Sequence, residues 1–509
     1  MLLLFPPIAK PSEPPAGIAR LSGMLQSYGV RHYLLDANIE GLLYILGKPL
    51  GKDILLDSWT KGAFHNLKKN IASMQSWFAY QNQDRYIKTI KDITRTLKFL
   101  SPQGTQIGLA DYSQEIFSPT KSSDLNAAAQ EPEKNPFYPY FSQRLRGYIE
   151  KERISIVGIS LNYLSQAICA FAIAGFLKKE FPCIKIIMGG GLVSSWIKTL
   201  QSNRIFDWLI DSFISGPGEK PLMDILGITG KKAFFTPDYS AFPLSEYFSP
   251  GFTLPYSASS GCYWKKCAFC PEKAEGNAYC PIPNTQALKE IQELTAKQKP
   301  SLLHFLDNAL SPSLMTAFSE EIPGIPWYGF ARITKDLGDF DFCKHLKKTG
   351  CIMLKLGIES GDQRVLDNLG KGIDLKMVSL ALQNLSQAGI ATYIYLLFGT
   401  PAETKESACQ TKEFTIQHSQ YIDFLNLAIF NMPGDSQDFL SLERKPFSAG
   451  DLSLYTDFIH PDGWDRKSIR FFLDRDFKRH PAIARIIQND PPIFTSNHAA
   501  FMKFQAVKL

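Results

Sequence analysis

Short apolar runs alternate with stretches of helical period along most of the chain. Leu2–Phe5 is predicted to be a strand ending at Pro6-Pro7, and Ile18–Tyr28 a helix stopped by Gly29. His32–Leu35 reads as a second strand and Ile154–Ser160, a continuous apolar run, as a buried parallel one. A helix over Ala167–Lys179, a strand over Ile184–Met188 running into Gly189-Gly190-Gly191, and a strand over Phe206–Ile214 complete the first alternation. This pattern predicts a doubly wound, Rossmann-like parallel sheet. Residues 52 to about 148 interrupt it with helical stretches at Trp59–Trp77 and Ile87–Leu100, then a polar segment from Ser101 to Pro136 that reads as loop.

A second, more regular alternation begins near Thr253. Strands are predicted at Thr253–Ser257, Leu302–Leu306, Trp327–Phe330, Ile352–Gly357, Thr392–Phe398 and Phe424–Phe430. Between them lie helical stretches at Gln286–Ala296, Pro312–Glu320, Phe340–Thr349, Gln363–Leu369, Leu375–Ala388 and Thr404–Gln417. Six βα repeats are too few for a closed eight-stranded barrel and suit a partial (β/α)6 barrel with ligands at the C-terminal ends of the strands. After Pro433-Gly434 the periodicity dissolves, and the aromatic, basic stretch Arg470–Arg475 reads as packing.

A chain of 509 residues implies about three units at ~150 residues each. They are a first sheet domain over 1–235 with its helical insertion at about 52–148, a barrel over 236–435, and a capping segment over 436–509. Hydrophobic residues at 45% and charged residues at 20% exclude a disordered or fibrous chain. Lys+Arg 55 against Asp+Glu 49 leaves +6, too small an excess to argue for nucleic acid. The longest apolar run, Ala167 to Leu177, is too short to span a bilayer, and Met1–Phe5 runs into Pro6-Pro7 without a basic leader. With nine cysteines crowded into no secreted disulfide pattern, a reduced, cytoplasmic setting is expected.

The chemistry concentrates in Gly261-Cys-Tyr-Trp-Lys-Lys-Cys-Ala-Phe-Cys270, a C-x4-C-x2-C loop directly after the second sheet's first strand. Three thiolates on one loop can hold an iron–sulfur cluster and leave one iron open for a small molecule. Zinc would need a fourth ligand, which Cys280 could supply.

With its βα repeats and several further motifs, this segment resembles the radical S-adenosylmethionine (SAM) superfamily, whose usual spacing, C-x3-C-x2-C, is one residue shorter. The resemblance implies that Cys262, Cys267 and Cys270 bind a 4Fe–4S cluster with SAM on its fourth iron. It implies Phe269 beside the adenine, and Asp307, in Phe305-Leu-Asp-Asn308, toward the methionine amine. Glu359, in Gly357-Ile-Glu-Ser-Gly361, is implied at the ribose or amino group, and Arg332 after the third strand at the carboxylate. Leu397-Phe-Gly-Thr-Pro401 with Glu403-Thr404 resembles the family's strand-five turn. Each also has a plainer reading: Asp307 as a helix cap, Glu359 and Arg332 as structural ion-pair partners.

The first domain resembles the cobalamin-binding domain of one radical SAM subgroup. Ser160-Leu-Asn-Tyr-Leu-Ser165 matches the loop around the nucleotide tail, with Ser160 and Asn162 as contacts, and Gly189, Gly190 and Gly191 the small residues that let the backbone approach the cofactor. Gly216, in Gly216-Pro-Gly-Glu219, matches the next turn. The loop after the first strand, Pro6–Pro15, holds no histidine, so no protein imidazole is expected below cobalt. The resemblance implies an enzyme with three cofactors (4Fe–4S cluster, SAM and cobalamin), a small-molecule or peptide substrate, and an electron donor such as flavodoxin or ferredoxin. A methyltransferase acting on an unactivated carbon is the reading favoured. The rivals are a radical cyclisation, ring contraction or oxidation without methyl transfer and, remotely, a zinc-stabilised binding module. Cys280, Cys343 and Cys351 carry no assigned role.

Overall fold

The computed structural model describes residues 1–49, 55–230, 232–321, 325–447, 450–492 and 498–506. The chain divides into two compact units, Met1–Thr253 with short returning stretches at 450–453 and 492, and Leu254 onward.

The first unit is built on five strands, β1 (Leu2–Phe5), β2 (Tyr33–Asp36), β3 (Ile156–Ser160), β4 (Lys185–Gly189) and β5 (Ser212–Phe213), in the order β2-β1-β3-β4-β5. Every pairing is parallel. This is the flavodoxin-like order, in which the chain reverses direction across the sheet between β1 and β3 and leaves a crevice at their C-terminal ends. The loop after β1 is folded inward: Ile8 and Ala9 are buried. Three side chains hold it. Gln166 Nε2 donates to the Pro6 carbonyl at 2.7 Å, Ser165 Oγ to that of Ile8 at 2.8 Å, and Asn38 accepts from Ala9 N at 2.8 Å. Residues 236–253 also pack in this unit: Tyr247 Oη donates to Asp36 at 2.6 Å and Phe248 N to the Pro11 carbonyl at 2.7 Å.

Two expectations are corrected in this unit. Only Ser212–Phe213 of the predicted strand Phe206–Ile214 pairs; Arg204–Phe206 is a 3-10 turn. Asp211 is the reason, since its carboxylate accepts from Ile186 N and pairs with Lys178 at 2.8 Å, capping the sheet edge instead of extending it. The supposed loop 101–136 holds a hairpin (Thr105–Ile107 with Tyr112–Gln114) and a helix, Ser122–Gln130. That helix packs on Leu164–Glu180 so closely that a side chain at Gly175 would run into the Ala129 carbonyl. Its buried face includes Ala128 and Ala129, apolar but small, which a reading by polarity passes over.

The second unit carries six strands: β6 (Thr253–Tyr256), β7 (Leu302–Phe305), β8 (Trp327–Ala331), β9 (Cys351–Glu359), β10 (Ala391–Phe398) and β11 (Phe424–Ile429). They lie in sequence order across one sheet, with parallel pairing from β7 through β11. Helices alternate with the strands, as βα period requires. One face carries Tyr328 and Phe330 on β8, Met353, Lys355 and Gly357 on β9, and Tyr393 and Tyr395 on β10, the two-residue alternation of a strand. A buried cluster of Leu302, Tyr328, Met353, Tyr393 and Phe424 lies near the N-terminal ends of the strands, and Ala499 of the helix His498–Ala506 belongs to it. His498 stacks on Tyr393 at 4.7 Å.

Where periodicity failed after Pro433, short elements form. Met432–Pro433, Arg444–Lys445 and Tyr455–Phe458 make a small antiparallel sheet, and helices follow at Arg466–Phe472 and Pro481–Asn489. Two-residue strands leave no period to read. Among the described residues, no helix is long and apolar enough to cross a membrane.

Candidate functional site

In the second unit the cysteine loop follows β6, at the C-terminal end of the sheet. Cys267 is buried, and Cys262 and Cys270 are half-buried. The loop is tied to the turn Leu369–Gly372 that follows β9 and its short helix. Ala268 N donates to the Leu369 carbonyl at 2.8 Å and Trp264 Nε1 to that of Gly370 at 2.9 Å. The turn needs its glycines. Gly370 and Gly372 have φ of +61° and +64°, and a side chain at Gly372 would meet the Trp264 ring.

Between these glycines stands Lys371, whose Nζ pairs with Glu359 Oε1 at 2.7 Å, both side chains about 10% exposed or less. Glu359 itself has φ +71°, in the left-handed region, where a bulge interrupts the register between β9 and β10. A conformation costing about 1 kcal/mol or more at a non-glycine residue is held here by the surrounding contacts. Lys371 also lies over the Phe269 ring at 5.5 Å, and Phe269 packs with Leu397, Phe430, Met432 and Phe458.

Arg332 reaches the same place from β8. Its guanidinium lies 4.1 Å over the Trp264 ring, Nη1 is 3.7 Å from Cys267 Sγ, and Nη2 donates to the Lys371 carbonyl. Burial pushes the Cys267 thiol up, and the charges of Lys371 and Arg332 oppose it. For Cys270, burial again raises the thiol and the backbone N–H groups of Glu272 and Lys273 work against it. Asp307 is buried and turned to the end of β6, its carboxylate accepting from Ala258 N at 3.0 Å and from Ser259 Oγ. Burial pushes this carboxyl up, and the same Ser259 and Ala258 bonds hold it back.

Phe269, Arg332, Glu359 and the cysteine loop are thus brought to one end of one sheet. Among the described residues, no three His, Cys, Asp or Glu side chains stand close enough to hold an ion outright. The donor chemistry fits an iron–sulfur cluster all the same: three soft thiols on one pinned loop, with cations beside the buried one. Cys280 is exposed, paired with Ser260 in a two-residue bridge. Trp264 and Lys371 went unassigned from sequence, although a lysine between two glycines was a signal of a tight turn with a purpose.

Beyond β10, Glu403 is fully buried. Its Oε2 accepts from Gly399 N and from Trp464 Nε1 at 3.0 Å, while Oε1 has no hydrogen-bond partner among the described residues. Burial pushes this carboxyl from 4.5 to about 7. The folded state therefore holds the proton more tightly than the unfolded state. The stabilisation is present in full below the ordinary carboxylate value and lost as pH rises through about 7. Relative to Glu403→Gln, which mimics the protonated form, the wild-type chain is expected to lose about 3 kcal/mol between those limits. Paired thermal melts across that pH range check it; parallel curves for the two proteins would contradict it.

In the first unit, the residues singled out after β3 and β4 meet. Asn162 Nδ2 donates to Ser160 Oγ at 3.0 Å, and Asn162 Oδ1 accepts from Gly191 N at 2.9 Å. Leu161 N donates to the Gly189 carbonyl at 2.7 Å. Gly190 has φ +114° and sits so near the Leu161 carbonyl that a side chain there would collide with it. Gly216 joins through its N–H, which donates to Ser194 Oγ at 2.8 Å. A glycine backbone held by the Asn162 and Ser194 side chains, at the C-terminal ends of parallel strands, is a surface on which a bulky nucleotide-bearing ligand can lie.

No family model matches the chain. A curated relative, the anaerobic magnesium-protoporphyrin IX monomethyl ester cyclase of Rubrivivax gelatinosus, is 24% identical over 289 residues, covering 53% of this chain and 50% of that one. The chain thus matches about half the length of that relative. Two solved structures are similar. One is the cobalamin-dependent S-adenosylmethionine radical enzyme OxsB with aqua-cobalamin bound (TM-score 0.53, 13% identity, 71% of this chain and 65% of that one). The other is the radical S-adenosylmethionine methyltransferase TsrM from Kitasatospora setae with tryptophan substrate and a SAM analog bound (TM-score 0.54, 12% identity, 98% of this chain and 89% of that one). At such identities the likeness is one of fold, and the fold is that of the cobalamin-dependent radical S-adenosylmethionine enzymes.

Proposed function

We propose that this chain is a cobalamin-dependent radical SAM enzyme that methylates an unactivated carbon. The observation that carries the reading is the cysteine loop pinned beneath Trp264, Arg332 and Lys371 at the C-terminal end of a six-stranded parallel sheet. When bound, the cluster and SAM supply a carbon-centred radical that takes hydrogen from a C–H bond, and cobalamin supplies a transferable methyl group. Cys262, Cys267 and Cys270 would hold the cluster. Ser160, Asn162, Gly189, Gly190, Gly191 and Gly216 would line the cobalamin. Phe269 and Glu359 would meet SAM. Asp307 and Arg332 do more for the protein than the resemblance implied: Asp307 fixes the 258–259 backbone that leads into the cysteine loop, and Arg332 braces Cys267. Their contribution to SAM would then be to position the loop that binds it.

The rival, a radical reaction without methyl transfer, draws support from the match to a cyclase. Product analysis separates the two. With SAM, cobalamin, reductant and substrate, a methyltransferase is expected to form S-adenosylhomocysteine alongside 5′-deoxyadenosine. 5′-Deoxyadenosine alone would favour the rival, and neither product would overturn the reading.

A further inference from the structure

The crevice of the first unit opens between β1 and β3, where the order of the sheet reverses. The two loops that flank it differ in what they offer a ligand. The loop after β1 is closed on itself: Ile8, Ala9 and Ser12 are buried, and Gln166 and Ser165 hold its Pro6 and Ile8 carbonyls. The loop after β3 presents Tyr163, 56% exposed, between Asn162 and the helix Leu164–Glu180. The other exposed rings of this unit lie elsewhere. Tyr44, Trp59 and Phe78 are on helices, and Trp208 precedes β5, toward the N-terminal ends of the strands. Among the described residues, Tyr163 is thus the exposed ring at the C-terminal ends of this sheet.

A ring on a loop is free to swing unless its backbone is fixed. This one is fixed. Tyr163 N and Asn162 N both donate to Gln166 Oε1, at 3.1 and 3.0 Å, and Gln166 is fully buried. Asn162 is tied in turn to Ser160 Oγ and to Gly191 N, so Tyr163 stands at the rim of the glycine cradle. It stands in a recess: the ring is open to solvent, yet burial pushes its phenol up, and the negative charge of Glu13 adds to that. A tyrosine ring left in water forgoes one of the larger burial gains open to a side chain, and a flat apolar ligand restores it.

We propose that Tyr163 is the seat of the corrin ring of cobalamin, a flat apolar floor for the macrocycle while the nucleotide tail runs into the cradle of Gly189, Gly190 and Gly191. The proposal rests on the cobalamin reading and adds to it a residue that positions the macrocycle without coordinating cobalt. Corrin and tail are covalently joined, so a fixed ring at the rim of the cradle is where the macrocycle comes to rest. The contact is made by the ring, and the hydroxyl is dispensable.

Equilibrium dialysis of the full chain tests this, against hydroxocobalamin and against cobinamide, which has the macrocycle but no nucleotide. Tyr163→Ala is expected to weaken binding of both by about ten-fold, and Tyr163→Phe to bind both as the wild type does. Equal binding by the wild type and Tyr163→Ala would overturn the proposal. So would a loss confined to hydroxocobalamin, which would place the ring on the tail. A loss in Tyr163→Phe as large as in Tyr163→Ala would assign the contact to the hydroxyl and overturn it too. Without corrinoid, the wild type and both variants are expected to melt together, because an open ring contributes little to the fold. An earlier melt of Tyr163→Ala would make the ring a structural contact instead. Failure of the wild type to retain hydroxocobalamin would sink the cobalamin reading itself, whereas retention that is unchanged in Tyr163→Ala sinks only the seat.

Discussion

Replacing Cys262, Cys267 or Cys270 by Ala, one at a time, is expected to reduce iron–sulfur loading and SAM cleavage to background, while Cys280→Ala leaves both intact. A cluster held by three thiolates has no redundancy, so each replacement opens a second iron to solvent and to loss. The three positions are not equivalent in the folded chain. Cys267 is buried against Arg332, with Trp264 stacked on that guanidinium, so its loss also leaves the guanidinium facing a void. Cys262 and Cys270 are more open and should tolerate Ser structurally while still losing iron. Cys280 stands exposed on a separate two-residue bridge opposite Ser260. Iron and sulfide content per chain after anaerobic reconstitution, with 5′-deoxyadenosine yield, checks the set. Loss of iron in Cys280→Ala would mean four thiols and return zinc to contention.

The parts of this fold that could be read from sequence are those whose burial is uniform. Ile156–Ser160 appears as an almost unbroken apolar run, and Cys351–Glu359 is buried along nearly its whole length and is broken only by Lys355 before Glu359, so both read as strands. Phe206–Ile214 looked the same in composition, but Asp211 spends its carboxylate on Ile186 N and Lys178, and that contact lies across the sheet, invisible along the chain. The helix Ser122–Gln130 hid for the opposite reason: beside a single large apolar residue, Leu125, its buried face is made of Ser122, Ala128 and Ala129, too small to mark a period.

The same division runs through the site. Residue types with one strong chemistry, the cysteines above all, announced themselves. Residues whose work depends on a partner did not. Asp307 and Arg332 were placed at the right end of the right strands, yet Asp307 turns to Ala258 and Ser259, and Arg332 to Trp264 and Cys267, because the lengths of the 257–270 and 369–372 loops decide which groups come within reach. His304 meets Lys355, 51 positions away in sequence and 3.1 Å away in space, a pairing that no period along the chain marks.

Lys371→Met is expected to destabilise the second unit by about 3–5 kcal/mol, and Glu359→Gln by a smaller amount. Both ends of this pair are buried, so removing one leaves the other charge without its partner in a low-dielectric place, and that desolvation is the larger part of the cost. Glutamine keeps the volume and an acceptor for the ammonium, whereas methionine offers the carboxylate nothing. The double variant Glu359→Gln/Lys371→Met removes both charges and is expected to recover more than half of the loss in Lys371→Met, a coupling that separate, additive roles would not produce. The damage should be local, because Lys371 sits in the turn that holds the cysteine loop through Leu369 and Gly370. Hydrogen exchange over residues 262–270 and 369–372 reads it directly. Faster exchange in Lys371→Met, reversed in the double variant, supports the pair as the clamp of the loop. Unchanged exchange would place the stability of that loop in the Arg332–Trp264 stack instead.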